Sequence, residues 1–312
     1  MNVSVRRARL HTRASNQQYR VISKCKMQKN ISEKRQDGLV APDIVVIGAM
    51  RAGTTTLYEM LRQTSMVTMP RMKETDFFLE KKYSRGLKWL NDQYDDFSKP
   101  LVDMSPNYTR HEVFPGVAER IHETNPNAKL VYVLRDPVKR AMSEYKHGKA
   151  MGYPLAEPDE IYRNGDTGYE CSRYHEQLQP YLKYWSIDDI HIVEFEELVR
   201  DQWGVLNKLF KELGLPEIPA DKEQVHTNSA NELSRVPSWY GQVRNKPIVE
   251  WIRSKTPRSL VAVAKSILWR ADNGIDQIEF PTHTIEAIRD SLRDDVAALR
   301  ALTGRNFSNW SV

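Results

Sequence analysis

Cysteine is scarce: Cys25 and Cys171 are the only two in 312 residues. Cys25 falls in a segment with no hydrophobic periodicity, so a disulfide framework is not expected and a reducing compartment fits. No run of about 18 apolar residues occurs, which removes a membrane-spanning helix from consideration. There is no internal repeat and no low-complexity linker. Acidic side chains are missing before Glu33: residues 1–40 hold ten Lys and Arg against Glu33 and Asp37. That segment carries +8 in a chain of formal net charge +5, so the remainder carries −3. The high isoelectric point therefore belongs to a leader, whereas a nucleic-acid enzyme usually carries its excess charge on the fold itself. The leader, residues 1–40, has no secretory hydrophobic region. It reads as a basic, disordered stretch compatible with organellar targeting of an otherwise cytoplasmic protein.

What is present begins at Asp43, where short apolar runs alternate with helical stretches. Strands are expected at 44–47, 101–103, 130–134 and 190–193. Helices are expected at 54–63, 113–123, 137–150, 172–185 and 201–213, with Gly214 as a stop and Pro216 beyond it. Strands separated by helices predict an α/β domain over 41–312. It should be three-layered and P-loop-like, with a central parallel sheet flanked by helices and a helical C-terminal part. In such sheets, ligands bind at the carboxyl ends of the strands.

Three distinctive stretches fall at those ends. The first is IVVIGAMRAGTTTL, residues 44–57. Gly48 and Gly53 allow a tight turn with N–H groups facing inward, and Thr54 and Thr55 open the next helix. The pattern is that of a phosphate loop, except that Thr54 stands where the lysine should be and Arg51 lies three residues early. Asp103 is the only acid at a nearby strand end, so a phosphoanhydride handled without metal is expected. In RDPVKRAMSEY, residues 135–145, Asp136 and Pro137 suit a helix start. Arg135 then projects from a strand end, and Lys139, Ser143 and His147 share one helix face. A guanidinium with a hydroxyl can clamp a phosphate. DMSPNY, residues 103–108, ends the remaining strand. A further stretch, PRMKETDFF at 70–78, places Lys73 and Glu74 ahead of a Phe77–Phe78 pair that would anchor it in the core. A carboxylate near the loop can accept a hydroxyl proton.

In order and spacing these stretches resemble the sulfotransferase family that uses 3′-phosphoadenosine 5′-phosphosulfate (PAPS). The likeness is closer to its carbohydrate-acting and bacterial branches than to the cytosolic phenol and steroid branch. Those branches carry G-x-x-K-x-G-T-T/S-x-L, K-E-x-x-F-F, K-S-P-x-Y and R-D-P-v-x-R-a-x-S-x-Y. Here they stand as GAMRAGTTTL, KETDFF, DMSPNY and RDPVKRAMSEY. SRYHEQLQPYLKYW at 172–185 and FKELGLPEI at 210–218 are also similar to the family, so the resemblance spans roughly 42–218. It implies sulfuryl transfer from PAPS to a hydroxyl or amine of a small-molecule, carbohydrate or lipid acceptor, leaving PAP. It also implies that Arg51, Ala52, Gly53, Thr54, Thr55 and Thr56 hold the 5′-phosphosulfate, and that Arg135 and Ser143 hold the 3′-phosphate. Glu74 would be the general base, and no metal would be needed.

Two positions depart from the family. Arg51 replaces its usual loop lysine and acts as a fixed charge at the leaving oxygen, because arginine does not readily give up its proton. Met104 replaces a substrate-side lysine, which argues against a highly sulfated glycan acceptor. No histidine occupies 105–106; His111 is the nearest. Two other readings remain: an ATP-dependent small-molecule kinase, and a non-enzymatic nucleotide- or nucleic-acid-binding protein with a basic arm. The missing loop lysine disfavours the first, and the −3 body and Glu74 disfavour the second.

Overall fold

The computed structural model describes residues 35–36, 38–151, 153, 155, 157–158, 167–218, 224–225, 234–235, 270–271 and 278–312. Four strands make the central sheet: Ile44–Gly48 (β1), Val102–Met104 (β2), Lys129–Leu134 (β3) and Ile190–Glu194 (β4). Their spatial order is β2-β1-β3-β4, and every pair is parallel. β1 is buried along its whole length. A parallel strand covered on both faces has no solvent side, which is why Ile44–Ile47 reads as a continuous apolar run and not as an alternation.

The helices that matter for the site are Thr54–Thr64 (α1), Val117–Thr124 (α2), Pro137–Ala150 (α3), Phe195–Arg200 (α4), Gln202–Glu212 (α5) and Thr282–Thr303 (α6). α3 spans the expected 137–150. Asp136 caps it, accepting from the N–H groups of Val138 at 3.0 Å and Lys139 at 3.2 Å, with proline at the first helical position. α2 starts four residues later than the expected 113, because Val113 and Phe114 close a turn onto Arg110 and Pro115 follows. The helix expected at 172–185 is two pieces, Tyr174–Leu178 and the 3₁₀ turn Tyr181–Lys183. Pro180 between them has no N–H to continue the helical ladder. Of the expected helical C-terminal part, residues 219–277 fall almost entirely outside the described residues.

One apolar cluster joins the sheet to both flanks, from Val40 through Val45, Leu57, Tyr132 and Leu209 to Trp310. Val40 is already part of this body: its N–H and C=O bond the side-chain amide of buried Asn91 at 2.9 and 2.7 Å. α6 lies against α3, with Ile288 and Leu292 packed on Val138 and Ala141. It also caps the Tyr174–Leu178 helix, since Asp295 accepts from the N–H groups of His175 and Glu176 at 3.0 and 2.9 Å. Cys25 lies outside the described residues. Cys171 is buried, its thiol pKa pushed up to about 11 by burial.

Candidate active site

β1 ends at Gly48, where the backbone passes so close to its neighbour that a Cβ would sit 2.6 Å from the Thr109 hydroxyl. The chain then turns through Arg51 at φ 66° and Gly53 at φ 94°. A side chain at Gly53 would be forced into the ring of Phe195 on α4. Gly53 caps α1 by backbone alone, with no side chain bonded to the helix start. The first N–H groups of an α-helix have no partner inside it, and the helix dipole adds positive charge there. An uncapped start beside a glycine turn is therefore a place for an anion. Ala52, Thr54 and Thr56 are buried and hold the turn, while Thr55 is exposed.

Two arginines border this helix start. The Arg51 guanidinium donates to the Ser143 hydroxyl from Nε at 3.3 Å and from its terminal nitrogen at 3.2 Å. Arg135 lies with its guanidinium 5.0 Å over the Phe195 ring and donates to the Arg51 carbonyl at 3.3 Å. Its buried Nε has no partner. Among the described residues, neither arginine is ion-paired with a carboxylate. Burial, and for Arg51 next the charge of Arg135, lowers both pKa values from the ordinary arginine value. Both remain charged near neutrality. Glu144 acts on Arg51, and Glu196 and Asp136 on Arg135, from beyond ion-pair distance. Two half-buried cations this close remain electrostatically costly, and a bound polyanion relieves that cost. Beneath them, fully buried Arg140 donates to the Met50 carbonyl at 3.3 Å and to the Ser172 hydroxyl at 2.6 Å, and pairs with Glu144.

The KETDFF and DMSPNY stretches form one unit. Fully buried Asp103, the middle residue of β2, accepts from the hydroxyls of Thr75 and Tyr108, the latter at 2.6 Å. Asp76 accepts from the Ser105 hydroxyl and, at 3.2 Å, from the Asn107 amide. The Phe77 and Phe78 rings pack edge to face at 5.1 Å in the core, as expected. This places Lys73 so that its ammonium donates to the Thr55 hydroxyl at 2.7 Å and to the Glu74 carboxylate at 3.0 Å. Glu74 thus reaches the helix start through Lys73, half-exposed beside it.

Asp103 is consumed by this network and does not face the loop as a metal partner would. Burial outweighs the two hydroxyl donors and pushes its pKa to about 6. A carboxyl with a raised folded-state pKa stabilises the fold below its unfolded pKa, near 3.9, and loses that contribution as pH rises through about 6. The stability difference between the native chain and Asp103→Asn should therefore shift in favour of Asp103→Asn between pH 4 and pH 8, by on the order of 2–3 kcal/mol. Urea unfolding at both pH values checks this, and a pH-independent difference would contradict it.

Other expected residues lie elsewhere. Ser143 faces Arg51, but Lys139 on the same helix is exposed. His111 is turned toward Gln177 at 3.0 Å and Glu112 at 3.5 Å. Met104 is fully buried. Sequence reasoning missed Phe195, which shapes the turn, and Arg140, which holds Met50. Arg140 did carry a signal: it is the second arginine of RDPVKR, within the first turn of α3.

The sulfotransferase domain family matches residues 41–244. Among curated proteins, heparan sulfate glucosamine 3-O-sulfotransferase 5 of Mus musculus is 30% identical over 190 residues, covering 56% of this chain and 54% of its own length. The bifunctional heparan sulfate N-deacetylase/N-sulfotransferase of Drosophila melanogaster is 28% identical over 215 residues, covering 58% of this chain and 20% of its own length. The chain thus spans about half the length of the first and a fifth of the second. In fold it is similar to the crystal structure of a sulfotransferase from Alicyclobacillus acidocaldarius, with a TM-score of 0.59 at 20% identity, covering 88% of this chain and 100% of that one. With the parallel sheet, the glycine turn and the four ordered motifs in place, the family match makes the chain a member of the sulfotransferase domain family.

Proposed function

We propose that this protein moves a sulfuryl group from PAPS to a hydroxyl or amine of a carbohydrate-class acceptor. The observation that carries this reading is the pair of half-buried arginines, Arg51 and Arg135, that make no ion pair among the described residues, at the uncapped start of α1. That donor set suits a nucleotide bearing two separate anionic groups. PAPS supplies an activated sulfuryl group on a phosphate leaving group. The N–H groups of Gly53, Thr54, Thr55 and Thr56 would bind the 5′-phosphosulfate, with Ala52 packing the turn. Arg135 and Ser143 would bind the 3′-phosphate that separates this donor from ATP. Arg51 would face the charge that grows on the leaving oxygen, and Glu74 would take the acceptor proton. No metal is assigned a role.

The carbohydrate class follows the relatives, which include a heparan sulfate glucosamine 3-O-sulfotransferase and a heparan sulfate N-deacetylase/N-sulfotransferase. Buried Met104 offers no cation to a sulfated glycan, which favours an acceptor of lower charge. The kinase alternative would require a loop lysine, and position 54 is threonine.

PAP at 100 times its dissociation constant should raise unfolding stability by about 2.7 kcal/mol, and ADP by far less at the same concentration. Arg135→Ala should weaken PAP binding by about 1.5–3 kcal/mol. Thermal unfolding with each nucleotide reads the first effect, and calorimetric titration the second. Equal shifts with ADP and PAP would overturn the 3′-phosphate assignment.

A further inference from the structure

The chain beyond α6 runs back across the sheet to the turn that presents Arg135. Arg305 donates to the Ile192 carbonyl of β4 at 2.9 Å. Phe307 and Trp310 stack at 4.2 Å, and the Trp310 ring packs 5.6 Å from Tyr174. The Tyr174 hydroxyl in turn donates to the Arg135 carbonyl at 2.8 Å. Next in the chain, Ser311 donates to the Asp136 carboxylate from its N–H at 2.9 Å and from its hydroxyl at 3.1 Å. That carboxylate is fully buried and also caps α3, while the Asp136 N–H donates to Glu196 at 3.0 Å.

Arg135 is thereby fixed from two sides. Its own carbonyl is held by Tyr174, on which Trp310 packs. The residue after it is held by Ser311. Among the described residues the guanidinium itself has only one hydrogen bond, to the Arg51 carbonyl, and the face of Phe195. Its aim must come from the backbone that carries it. A phosphate contact made by a guanidinium loses strength steeply with misplacement, because hydrogen bonds need both distance and angle. Asp136 already caps α3 through Val138 and Lys139, so the two Ser311 bonds are not needed to start the helix.

We propose that residues 307–311, and Ser311 above all, are a positioning clamp for Arg135. They set how well the donor site selects a nucleotide with a 3′-phosphate. This rests on the PAPS reading above. Ser311 touches no donor atom; it acts through Asp136.

The test uses the full chain and two probes, PAP and adenosine 5′-phosphate, which lacks the 3′-phosphate. Ser311→Ala removes one bond and Ser311→Pro removes both. PAP affinity should fall about threefold and about tenfold respectively, with adenosine 5′-phosphate affinity unchanged. Ser311→Thr keeps both donors and should bind PAP like the native chain. In the Arg135→Ala background, Ser311→Ala should have no further effect on PAP, because the residue it positions is gone. A parallel loss of both nucleotides would mean a general structural role, and an unchanged PAP preference would mean no role in the site; either overturns the clamp. A native chain that binds both nucleotides equally would instead remove the donor reading itself, which is a separate and recognisable failure.

Discussion

Glu74→Gln is expected to fold and bind PAP as the native chain does, and to turn over about 10²- to 10⁴-fold more slowly on a hydroxyl acceptor. The side chain keeps its shape and its contact with Lys73 but can no longer take a proton. Lys73 ties Glu74 to the Thr55 hydroxyl, so the carboxylate stands at the helix start proposed for the phosphosulfate. In the proposed transfer step the acceptor oxygen would form a bond to sulfur, the bond from sulfur to the phosphate oxygen would break, and the acceptor proton would pass to Glu74. Such transfers have loose transition states in which the nucleophile deprotonates late, which places the effect toward the lower end of the range. An amine acceptor with a lowered pKa would need the base less. Arg51→Met should slow transfer to either acceptor, since it removes charge facing the leaving oxygen. Comparing kcat for both variants on a hydroxyl and an amine acceptor separates the two roles. Native-like turnover of Glu74→Gln on the hydroxyl would remove Glu74 as the base and make His111 the next residue to substitute.

The parts of this site that were legible in the sequence are those whose physics is local. An apolar run closed by two glycines and three threonines specifies a buried strand, a turn and a helix start within fourteen residues. Asp136 followed by Pro137 specifies where α3 begins. Pro180 is just as local, and it breaks the helix expected across 172–185. What could not be read are contacts between residues distant in the chain. Thr75 and Asp103 are 28 positions apart, Arg51 and Ser143 92, and Asp136 and Ser311 175. Hydroxyl and carboxylate side chains carry no periodicity that would pair them. The strand-end and Phe-pair patterns pointed to Arg135, Lys73 and Glu74, the resemblance to the family supplied roles for Glu74 and Arg135, and the distances supplied the Lys73–Thr55 contact, Phe195 and the segment at 307–311.

The largest stability effect is expected at Glu144, a residue with no direct part in the proposed chemistry. Arg140 is fully buried, and Glu144 on the next turn of α3 is its carboxylate partner. Burial works against the Arg140 charge, but Glu144, with Cys171 and Tyr174, more than offsets it and raises the pKa from the ordinary arginine value. Glu144→Ala removes the carboxylate that pairs with this buried charge; among the described residues the Ser172 hydroxyl and the Met50 carbonyl still accept from it. Breaking a buried pair by removing one partner typically costs about 3–5 kcal/mol, a fifth or more of the net stability of an ordinary domain, about 5–15 kcal/mol. Removing both members in Arg140→Met/Glu144→Leu should cost less than Glu144→Ala alone, because no unpaired charge remains. The loss should also reach the loop: Arg140 holds the Met50 carbonyl, one residue before Arg51, so Glu144→Ala should weaken PAP binding although Glu144 touches no proposed donor atom. Urea midpoints for the three proteins, with the slope held constant, measure the stability terms. A loss below about 1 kcal/mol for Glu144→Ala would place Arg140 in the range of a solvent-screened surface pair and remove it as the support beneath the loop.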